Sequence, residues 1–429
     1  MVTAVSTSIA TGSAAEATGS LARATRDQLG KVSPQLVVVF ASTAQPLGAM
    51  AAGLAAEFPD AVLLGASTAG EFTERGDVKG AAALFALAGD FRIHAGMGTG
   101  LKANAEAAVA EALGGLPAHV DGYPHRTAIL LLDPLAGNGE EATLIAASLL
   151  GTDVRLAGGA AGDDLHMSQT HVACGARAAS DAVVIALIFS TSPLGVGVCH
   201  GHTALSRPLR VTRAEGNVVS ELEGRPAWQV WLEETRARAL EAGIDVSTLS
   251  KDAEGSYLLR YEAGLASGPR DLKIRAPLAR NADDSISFAC GIEQGSVIRI
   301  TESAPERQIE SAREAARRAF AQLDGKKAAG ALVFDCICRN LILGAQFSAA
   351  VRGMSEELGG VPIAGFETYG EIALDAGDMS GFHNTTSVVL AFPEGHLDGA
   401  ASGPKPLPPA EACLDGAASG PKPPPPVES

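Results

Sequence analysis

Aromatic residues and long apolar runs are both scarce in this sequence. Phe, Trp and Tyr together make up 4% of its 429 residues, so a core would have to consist mainly of smaller apolar side chains. No segment approaches the roughly 18 consecutive apolar residues that cross a bilayer. Residues 1–20 lack the basic and apolar regions of a signal peptide. We therefore expect a cytoplasmic protein that has no membrane partner.

Basic segments are missing as well, and acidic residues are in excess. The formal net charge at pH 7 is -16, and no basic run stands out against it. Nucleic acids and anionic membranes bind to basic surfaces. We expect neither of them as a partner.

Motifs that are typical of catalytic and metal sites are not found either. The sequence has no G-x-S-x-G and no H-E-x-x-H, and its glycine-rich stretch 96–100 lacks the spacing of a nucleotide loop. Its six cysteines are scattered, and the nearest two, Cys336 and Cys338, do not have zinc-ligand spacing. We expect a reduced protein without a metal site, and a binding protein rather than an enzyme.

What the sequence does contain is a repeated turn, in which an acid follows a glycine just past a short apolar run. Stretch 365–371 reads GFETYGE, stretch 65–71 reads GASTAGE, and a looser copy at 158–163 reads GGAAGD. Two glycines permit a tight turn and the close approach of a ligand to the backbone. The recurrence of this turn indicates a shared architectural role.

The acids of these turns are Glu71, Asp163 and Glu371. Each follows a predicted strand, and open α/β sheets bind ligands at strand ends. We predict that the three acids surround one shared hollow. The alternative is that each is a solvated acid in a turn of purely conformational importance.

The turns belong to a longer pattern that also occurs three times. Strand, helix, strand, glycine–acid turn and strand follow one another over residues 36–88, 128–189 and 331–392. This pattern predicts an α/β protein with two domains of repeated strand–helix–strand units, in which mixed sheets are partly covered by helices.

We place the two domains at residues 33–222 and 223–393. Residues 1–32 are predicted to form a tail with a short helix, and the tail is expected to be frayed over 1–18. Residues 394–429 are predicted to be a disordered Pro- and Gly-rich tail, in which LDGAASGPKP occurs twice.

Five ordered blocks of the chain resemble those of the FIST sensory proteins, which consist of a FIST N-terminal and a FIST C-terminal domain. Stretches 65–71 and 158–163 are similar to the family's G-C-S-T-A-G-E and G-G-x-A-G-D blocks. Stretch 197–201 falls where the family often has a strand ending in His-Gly. Stretches 336–339 and 362–372 are similar to its C-x-x-R and P-x-x-G-F-x-T-Y-G-E-I blocks.

The resemblance covers residues 36–392 and implies a signal-input protein with a small ligand, for which an amino acid is the usual proposal. No kinase or GGDEF segment is recognisable, so we expect a separate histidine kinase or GGDEF/EAL-type protein as partner. Some family members bind haem and sense nitric oxide. Haem b is therefore an alternative cofactor, with His200 as the candidate axial ligand. One departure is Glu367, which stands where the family more often has an aromatic residue.

The predicted ligand site combines the three turns with the C-x-x-R block. An amino acid presents an ammonium, which the acids could bind, and a carboxylate, which Arg339 could bind through its guanidinium. Alternatively, Arg339 pairs with Asp335 or Glu371 as a structural ion pair. The predicted site residues are Ser67, Thr68, Gly70, Glu71, Gly159, Asp163, Cys336, Arg339, Thr368, Tyr369, Gly370 and Glu371.

A third hypothesis, from another functional class, is a hydrolase or transferase. Its nucleophile would be Ser67 or Cys336, with a base that the sequence does not identify. For Cys336 the alternative is core packing, because free cysteines are usually buried and inert.

Overall fold

A computed structural model describes residues 2–266, 272–375 and 381–395 of the chain. Apart from residues 394 and 395, the predicted disordered tail lies outside the described residues. The described part is built from three similar units and one insertion. Among these residues, no helix combines the length and the apolar character that crossing a membrane requires.

The first unit begins with a strand rather than with a frayed tail. Residues 4–10 pair antiparallel with residues 82–88, and Ser13 accepts the backbone N–H of Glu16 as the N-cap of the following helix. The prediction of a frayed tail over 1–18 was therefore wrong, because this Ala-, Ser- and Thr-rich segment adds a strand to a sheet. The elements of the first unit are β1 (Ala4–Ala10), α1 (Ala14–Leu29), β2 (Leu36–Ala41), α2 (Leu47–Glu57), β3 (Val62–Ser67), β4 (Glu71–Thr73), β5 (Gly76–Val78) and β6 (Ala82–Ala88).

The second unit repeats this order of elements, with a short 3-10 turn before its second helix. Its elements are β7 (Phe91–Thr99), α3 (Ala105–Leu113), β8 (His125–Leu132), α4 (Gly139–Leu150), β9 (Arg155–Ala160), β10 (Val172–Cys174), β11 (Arg177–Ala179) and β12 (Ala182–Ser190).

The third unit is interrupted by the insertion after its first strand, β13 (Gly195–His200). The insertion has its own sheet and its own core, in which Trp228, Trp231 and Tyr257 are buried. Its elements are β14 (His202–Ala204), β15 (Leu209–Glu215), β16 (Val218–Leu222), β17 (Arg225–Pro226), α5 (Ala227–Glu241), α6 (Lys251–Arg260), β18 (Tyr261–Ala266), β19 (Leu272–Arg275), β20 (Pro277–Arg280), β21 (Ile286–Phe288) and β22 (Val297–Ser303).

The third unit then resumes with the longest helix of the described residues. Its remaining elements are α7 (Pro305–Ala321), β23 (Ala328–Cys336), α8 (Ile337–Leu343), α9 (Phe347–Glu357), β24 (Ile363–Thr368), β25 (Glu371–Leu374), β26 (Phe382–His383) and β27 (Thr386–Pro393).

Each unit completes its sheet with a hairpin that comes from another unit. The parallel pairs β2–β3, β8–β9 and β23–β24 form the centres of three six-stranded sheets. Hairpin β10–β11 covers the edge of β3, hairpin β25–β26 covers β9, and hairpin β4–β5 covers β24. The exchange is cyclic, so none of these three sheets is made by one unit alone. The predicted α/β fold with mixed sheets is confirmed.

The inner faces of the three sheets pack on one another in a common core. Phe40 of the first unit lies against Phe366 of the third, with ring centroids 4.6 Å apart, and Phe334 meets both rings. The outer faces carry the helices, with α1 and α2 on the first sheet, α3 and α4 on the second, and α7 and α9 on the third. The predicted domain boundary near residue 222 stays a prediction, because the sheets are shared between the two sides of it.

The shared core predicts that damage in the third unit weakens the first. Phe366→Ala removes a fully buried ring and should cost about 3–5 kcal/mol in the free energy of unfolding, measured by urea titration. Hydrogen exchange should accelerate in β2 as well as in β23. Phe320→Ala, at a ring that is 39% exposed, is the matched control and should cost no more than about 0.5 kcal/mol. Unchanged exchange in β2 would contradict a core shared between the units.

Candidate functional site

Hairpin exchange places the turn of the first unit against the strand end of the third. In the pairing of β4 with β24, Glu71 stands opposite Phe366. The backbone N–H of Ala69 donates to Glu367 O at 3.0 Å, and the N–H of Glu367 donates to Gly70 O at 2.8 Å. Two of the predicted turns therefore meet in space, although 300 residues separate them in the sequence.

Gly70 permits the Glu367 carboxyl to pack directly on its backbone. A Cβ atom at position 70 would lie 2.6 Å from the carboxyl carbon of Glu367, so a larger residue there would displace this carboxyl group. The close approach of two chain segments thus explains this glycine of the repeated turn.

A cavity of about 540 Å³ opens at this junction. Its wall comes from all three units, and we call it the junction cavity. The lining residues are Ala69, Gly70, Glu71, Asp77, Val78, Lys79, Gly80, Asp164, Leu165, Ile337, Asn340, Leu341, Gly344, Ala345 and Glu367. Two other cavities, of about 250 and 270 Å³, lie away from the glycine–acid turns.

Glu71 is fully buried in the wall of the junction cavity. Thr68 Oγ1 donates to its Oε1, whereas Oε2 has no hydrogen-bond partner among the described residues. Burial, and then the neighbouring Asp164 and Glu367, raise the pKa of Glu71 to about 8. Glu71 is therefore largely protonated at neutral pH.

Glu367 is the second buried acid of the cavity, and it was not among the predicted site residues. Asn340 Nδ2 donates to its Oε1. Burial, and then the charge of Asp335, raise the pKa of Glu367 to about 8. One indication of its role is visible in the sequence, because Glu367 is an acid at a position where the family more often has an aromatic residue.

Asp163 holds the loop whose tip lines the cavity. It accepts hydrogen bonds from the backbone N–H groups of Met167, Ser168 and Gln169 at 2.6–3.0 Å, and from the hydroxyl of Tyr369 at 2.6 Å. Burial acts to raise the pKa of Asp163, but these hydrogen bonds outweigh it and lower the pKa below its usual value. Asp163 therefore organises the loop 163–170 and does not line the cavity.

The tip of this loop reaches the cavity in a strained conformation. Asp164 and Leu165 have φ of 53° and 65°, a region that costs non-glycine residues energy and is often found at functional sites. Asp164 accepts hydrogen bonds from Ser42 Oγ at 2.9 Å and Thr43 N at 2.8 Å. The N–H of Leu165 donates to the Tyr369 hydroxyl at 2.8 Å. The loop is thereby tied to both neighbouring units.

The looser copy of the turn is not equivalent to the other two in the structure. In the first two exchanged pairings the acid of the turn faces the end of a neighbouring strand, with Glu71 opposite Phe366 and Glu371 opposite Gly159. In the third pairing the residue at this position, opposite Ala66, is Val172 and not Asp163. Of the three predicted acids, Glu71 alone lines the junction cavity among the described residues.

Glu371 is buried in a self-contained set of hydrogen bonds. It accepts from Thr386 N at 3.0 Å, from Thr386 Oγ1 at 2.9 Å and from Thr368 Oγ1, and burial raises its pKa to about 8. The pair Thr368–Glu371 repeats the pair Thr68–Glu71. It belongs to a different junction, between β25 and β9.

Gly159 and Gly370 are required by packing. A Cβ atom at position 159 would lie 2.6 Å from Thr368 Cγ2, and one at position 370 would lie 2.3 Å from the ring of Phe382. Neither glycine lines the junction cavity.

Arg339 forms the structural ion pair that was the alternative to ligand binding. Its side chain is fully buried, and its Nε donates to Asp335 Oδ1 at 2.8 Å. Further hydrogen bonds join it to Ser311 Oγ and Gln308 O, both at 2.8 Å, and to the side-chain oxygen of Gln308. Arg339 does not line the junction cavity.

The two candidate nucleophiles are both inaccessible. Ser67 is buried, and its Oγ accepts the backbone N–H of His171 at 2.8 Å. Cys336 is buried, and burial together with the neighbouring Cys338 raises the pKa of its thiol well above the usual value. The hydrolase or transferase hypothesis gains no support from this geometry and stays a prediction.

The candidate haem ligand lies near the insertion. His200 Nδ1 accepts the backbone N–H of His202 at 3.2 Å, and buried His202 places Nε2 3.6 Å from Glu262 Oε2. None of the three cavities described above has a histidine in its wall. These residues therefore do not fit an axial haem position in any of those cavities, and haem binding stays a prediction.

Comparison with protein families gives two matches that together cover most of the chain. The FIST N domain matches residues 35–225, and the FIST C domain matches residues 227–374. The chain belongs to the FIST family. FIST domains are sensory domains of signal transduction. Glu71 falls in the FIST N domain and Glu367 in the FIST C domain, so the junction cavity of this FIST protein is lined by both.

The chain is also similar to mycobacterial proteins that are themselves uncharacterised. It is 29% identical over 198 residues to a protein of Mycobacterium bovis and to one of Mycobacterium tuberculosis, covering 46% of this chain and 49% of each relative. A second Mycobacterium tuberculosis protein is 27% identical over 206 residues, covering 46% of this chain and 50% of that protein. The chain spans about half the length of the curated relatives it matches.

The bridging hydroxyl of Tyr369 gives a prediction about the loop 163–170. Tyr369→Phe removes the bonds to Asp163 and Leu165, each worth about 1 kcal/mol, so hydrogen exchange at the amides of Leu165 and Met167 should accelerate by at least about fivefold. Tyr123→Phe, which removes a hydroxyl bond to Asp90 at the surface, is the control. Equal exchange of the loop amides in both variants would show that Tyr369 does not hold the loop.

The raised pKa of Glu71 predicts how stability depends on pH. The folded protein holds this proton more tightly than the unfolded chain, whose Glu has the ordinary value of 4.5. The free energy of unfolding contributed by Glu71 is therefore fully present below pH 4.5 and is lost as pH rises towards 8.

In Glu71→Gln the free energy of unfolding should therefore fall less steeply with pH over this range than in the parent protein. The difference in slope should be up to about 1.4 kcal/mol per pH unit. The measurement is urea unfolding at several pH values, with the exposed Glu106→Gln as control. If Glu71→Gln kept the slope of the parent protein, the carboxyl would not be protonated in the folded state.

Proposed function

We propose that this FIST protein is a sensor whose small ligand binds in the junction cavity, and that a separate signalling protein reads the bound state. The observation that carries the proposal is the composition of the wall, which joins Gly70 and Glu71 of the FIST N domain to Glu367 of the FIST C domain. A cavity of about 540 Å³ is of the size that small-molecule sites usually have.

The lining suits a ligand with one polar end and an apolar body. Ile337, Leu341, Leu165 and Val78 supply apolar surface, and the buried polar groups are concentrated near Gly70. The amino acid that the family resemblance implies has this character. Arg339 would not bind its carboxylate, because the guanidinium is held in the ion pair with Asp335.

Ligand binding can be coupled to the arrangement of the domains through the exchanged hairpin. Hairpin β4–β5 belongs to the FIST N domain but forms the edge of the third sheet, and its residues Asp77 and Val78 line the cavity. A ligand that contacts the hairpin, the loop tip at Leu165 and helix α8 favours the conformation in which these elements are close together. A histidine kinase or a GGDEF/EAL-type protein in the cytoplasm would then respond to this shift in population.

Filling the cavity tests the proposal. A panel of amino acids and related metabolites is screened by thermal shift, because a ligand stabilises the state that it binds. Ala345→Trp places a large ring in the wall at an exposed position and should abolish the shift given by any ligand found. Ala110→Trp, on the exposed face of α3, is the matched control and should leave it unchanged. A panel without any ligand, or a ligand that binds Ala345→Trp as it binds the parent, would refute the proposed site.

A further inference from the structure

The wall of the junction cavity is acidic. Glu71 and Glu367 are its buried acids, and Asp77 and Asp164 lie nearer to solvent. Among the described residues that line the cavity, Lys79 is the single lysine or arginine, and it is exposed. The cavity is therefore suited to a cationic group rather than to an anionic one.

Neither buried acid forms an ion pair with another described residue. Oε2 of Glu71 accepts no hydrogen bond of ordinary length from these residues, and the Glu367 carboxyl accepts one from the neutral amide of Asn340. The absence of a Cβ on Gly70 brings the Glu367 carboxyl close to the residue that precedes Glu71. Two buried acids that form no ion pair with another described residue thus line one cavity.

We propose that the junction cavity recognises the amine group of its ligand, bound as an ammonium ion, and that binding releases a proton from the Glu71–Glu367 pair. This inference rests on the proposed function, since it names the chemical class of the ligand in the same cavity. The carboxylate of an amino acid would not be required for binding.

The proton balance follows from the state of the free site. Burial raises the pKa of both acids to about 8. The other charged residue near Glu71 is Asp164. The charged residues near Glu367 are Asp335, Asp77 and Lys79. The ligand arrives as an ammonium, the O–H bond of one carboxyl group breaks, its proton goes to solvent, and the carboxylate pairs with the ammonium. A buried acid that gains an opposite charge ionises more easily.

A carboxylate on the ligand could form an ion pair with Lys79 and so increase the affinity. Because this lysine is exposed, an ion pair with it would be worth no more than an ordinary surface pair, or up to about fivefold in affinity. Leucine and its decarboxylated analogue isoamylamine should therefore bind within about fivefold of each other. Isocaproate, which is leucine without its amine, should not bind.

Isothermal titration calorimetry of the full chain with these three compounds tests the inference. Titrations of isoamylamine in two buffers with different heats of ionisation measure the protons released, which should approach one per ligand at neutral pH. The affinity for isoamylamine should rise by up to about tenfold per pH unit between pH 6 and 8, because one proton leaves on binding. The comparison of buffers needs no variant and so does not depend on the folding of one.

Variants test whether the released proton comes from Glu71 and Glu367. In Glu71→Gln/Glu367→Gln both acids become neutral amides, and we expect proton release to vanish and isoamylamine to bind at least tenfold more weakly. Glu106→Gln, at an exposed acid of α3, should behave as the parent protein does.

The outcomes separate this inference from the proposed function. Binding of isocaproate without binding of isoamylamine, or binding of isoamylamine without proton release, would overturn it. If another panel compound binds in a manner that Ala345→Trp abolishes while isoamylamine does not bind, the amine inference fails and the proposed function stands. If no panel compound binds, both fail.

Discussion

The pairing of β4 with β24 is the contact on which the candidate site depends. A parallel pair of strands such as β23–β24 leaves an edge whose N–H and C=O groups need partners. In this chain the edge is covered by a hairpin that belongs to another unit. The same solution recurs at β3 and β9, so the three units hold one another together in a cycle. At the junction of β4 with β24, the cavity wall contains residues of all three units.

The cyclic exchange also explains why acids are buried at the junctions. The turn that precedes each of two exchanged hairpins ends in a glutamate, at Glu71 and Glu371, and a threonine three residues earlier donates to its carboxyl. An ionised carboxylate in such a place would cost several kcal/mol in desolvation, so the protonated form is favoured. Glu371 has its hydrogen bonds satisfied by Thr368 and Thr386. Among the described residues, none makes a hydrogen bond of ordinary length to Oε2 of Glu71, and this difference separates the candidate site from its structural counterpart.

Much of the fold could be read from local patterns in the sequence. Buried apolar strands such as β2 and β24, and the glycines that end them, give strong short-range signals. The recurrence of these signals indicated three similar units and the α/β class. The strand β1 was missed because its Ala-, Ser- and Thr-rich composition is weakly apolar, and its place in the sheet is decided by pairing with the distant β6.

The composition of the site could be predicted only in part, for the same physical reason. Gly70 and Glu71 lie in a motif that the sequence displays, whereas Glu367 becomes a site residue through a contact between distant segments. The third acid, Asp163, looked equivalent to Glu71 by spacing. In the structure, however, the residue that occupies the place equivalent to Glu71 is Val172. The pairing register of strands cannot be predicted from the spacing of a motif alone. For Arg339 the sequence left ligand binding and a structural ion pair open, and the structure shows the ion pair with Asp335. The contact with Gln308 joins segments 31 residues apart and has no signal in the sequence.

The central claim is that an exchanged hairpin places two protonated carboxyl groups, from Glu71 and Glu367, in the wall of one cavity. The most direct test is carbon-13 NMR of the glutamate carboxyl groups across a pH titration, with the two signals assigned through Glu71→Gln and Glu367→Gln. The structure predicts that both carboxyl groups of the free protein titrate at about pH 8. Titration of both near their ordinary value of 4.5 would show that the two acids are solvated and would contradict the claim.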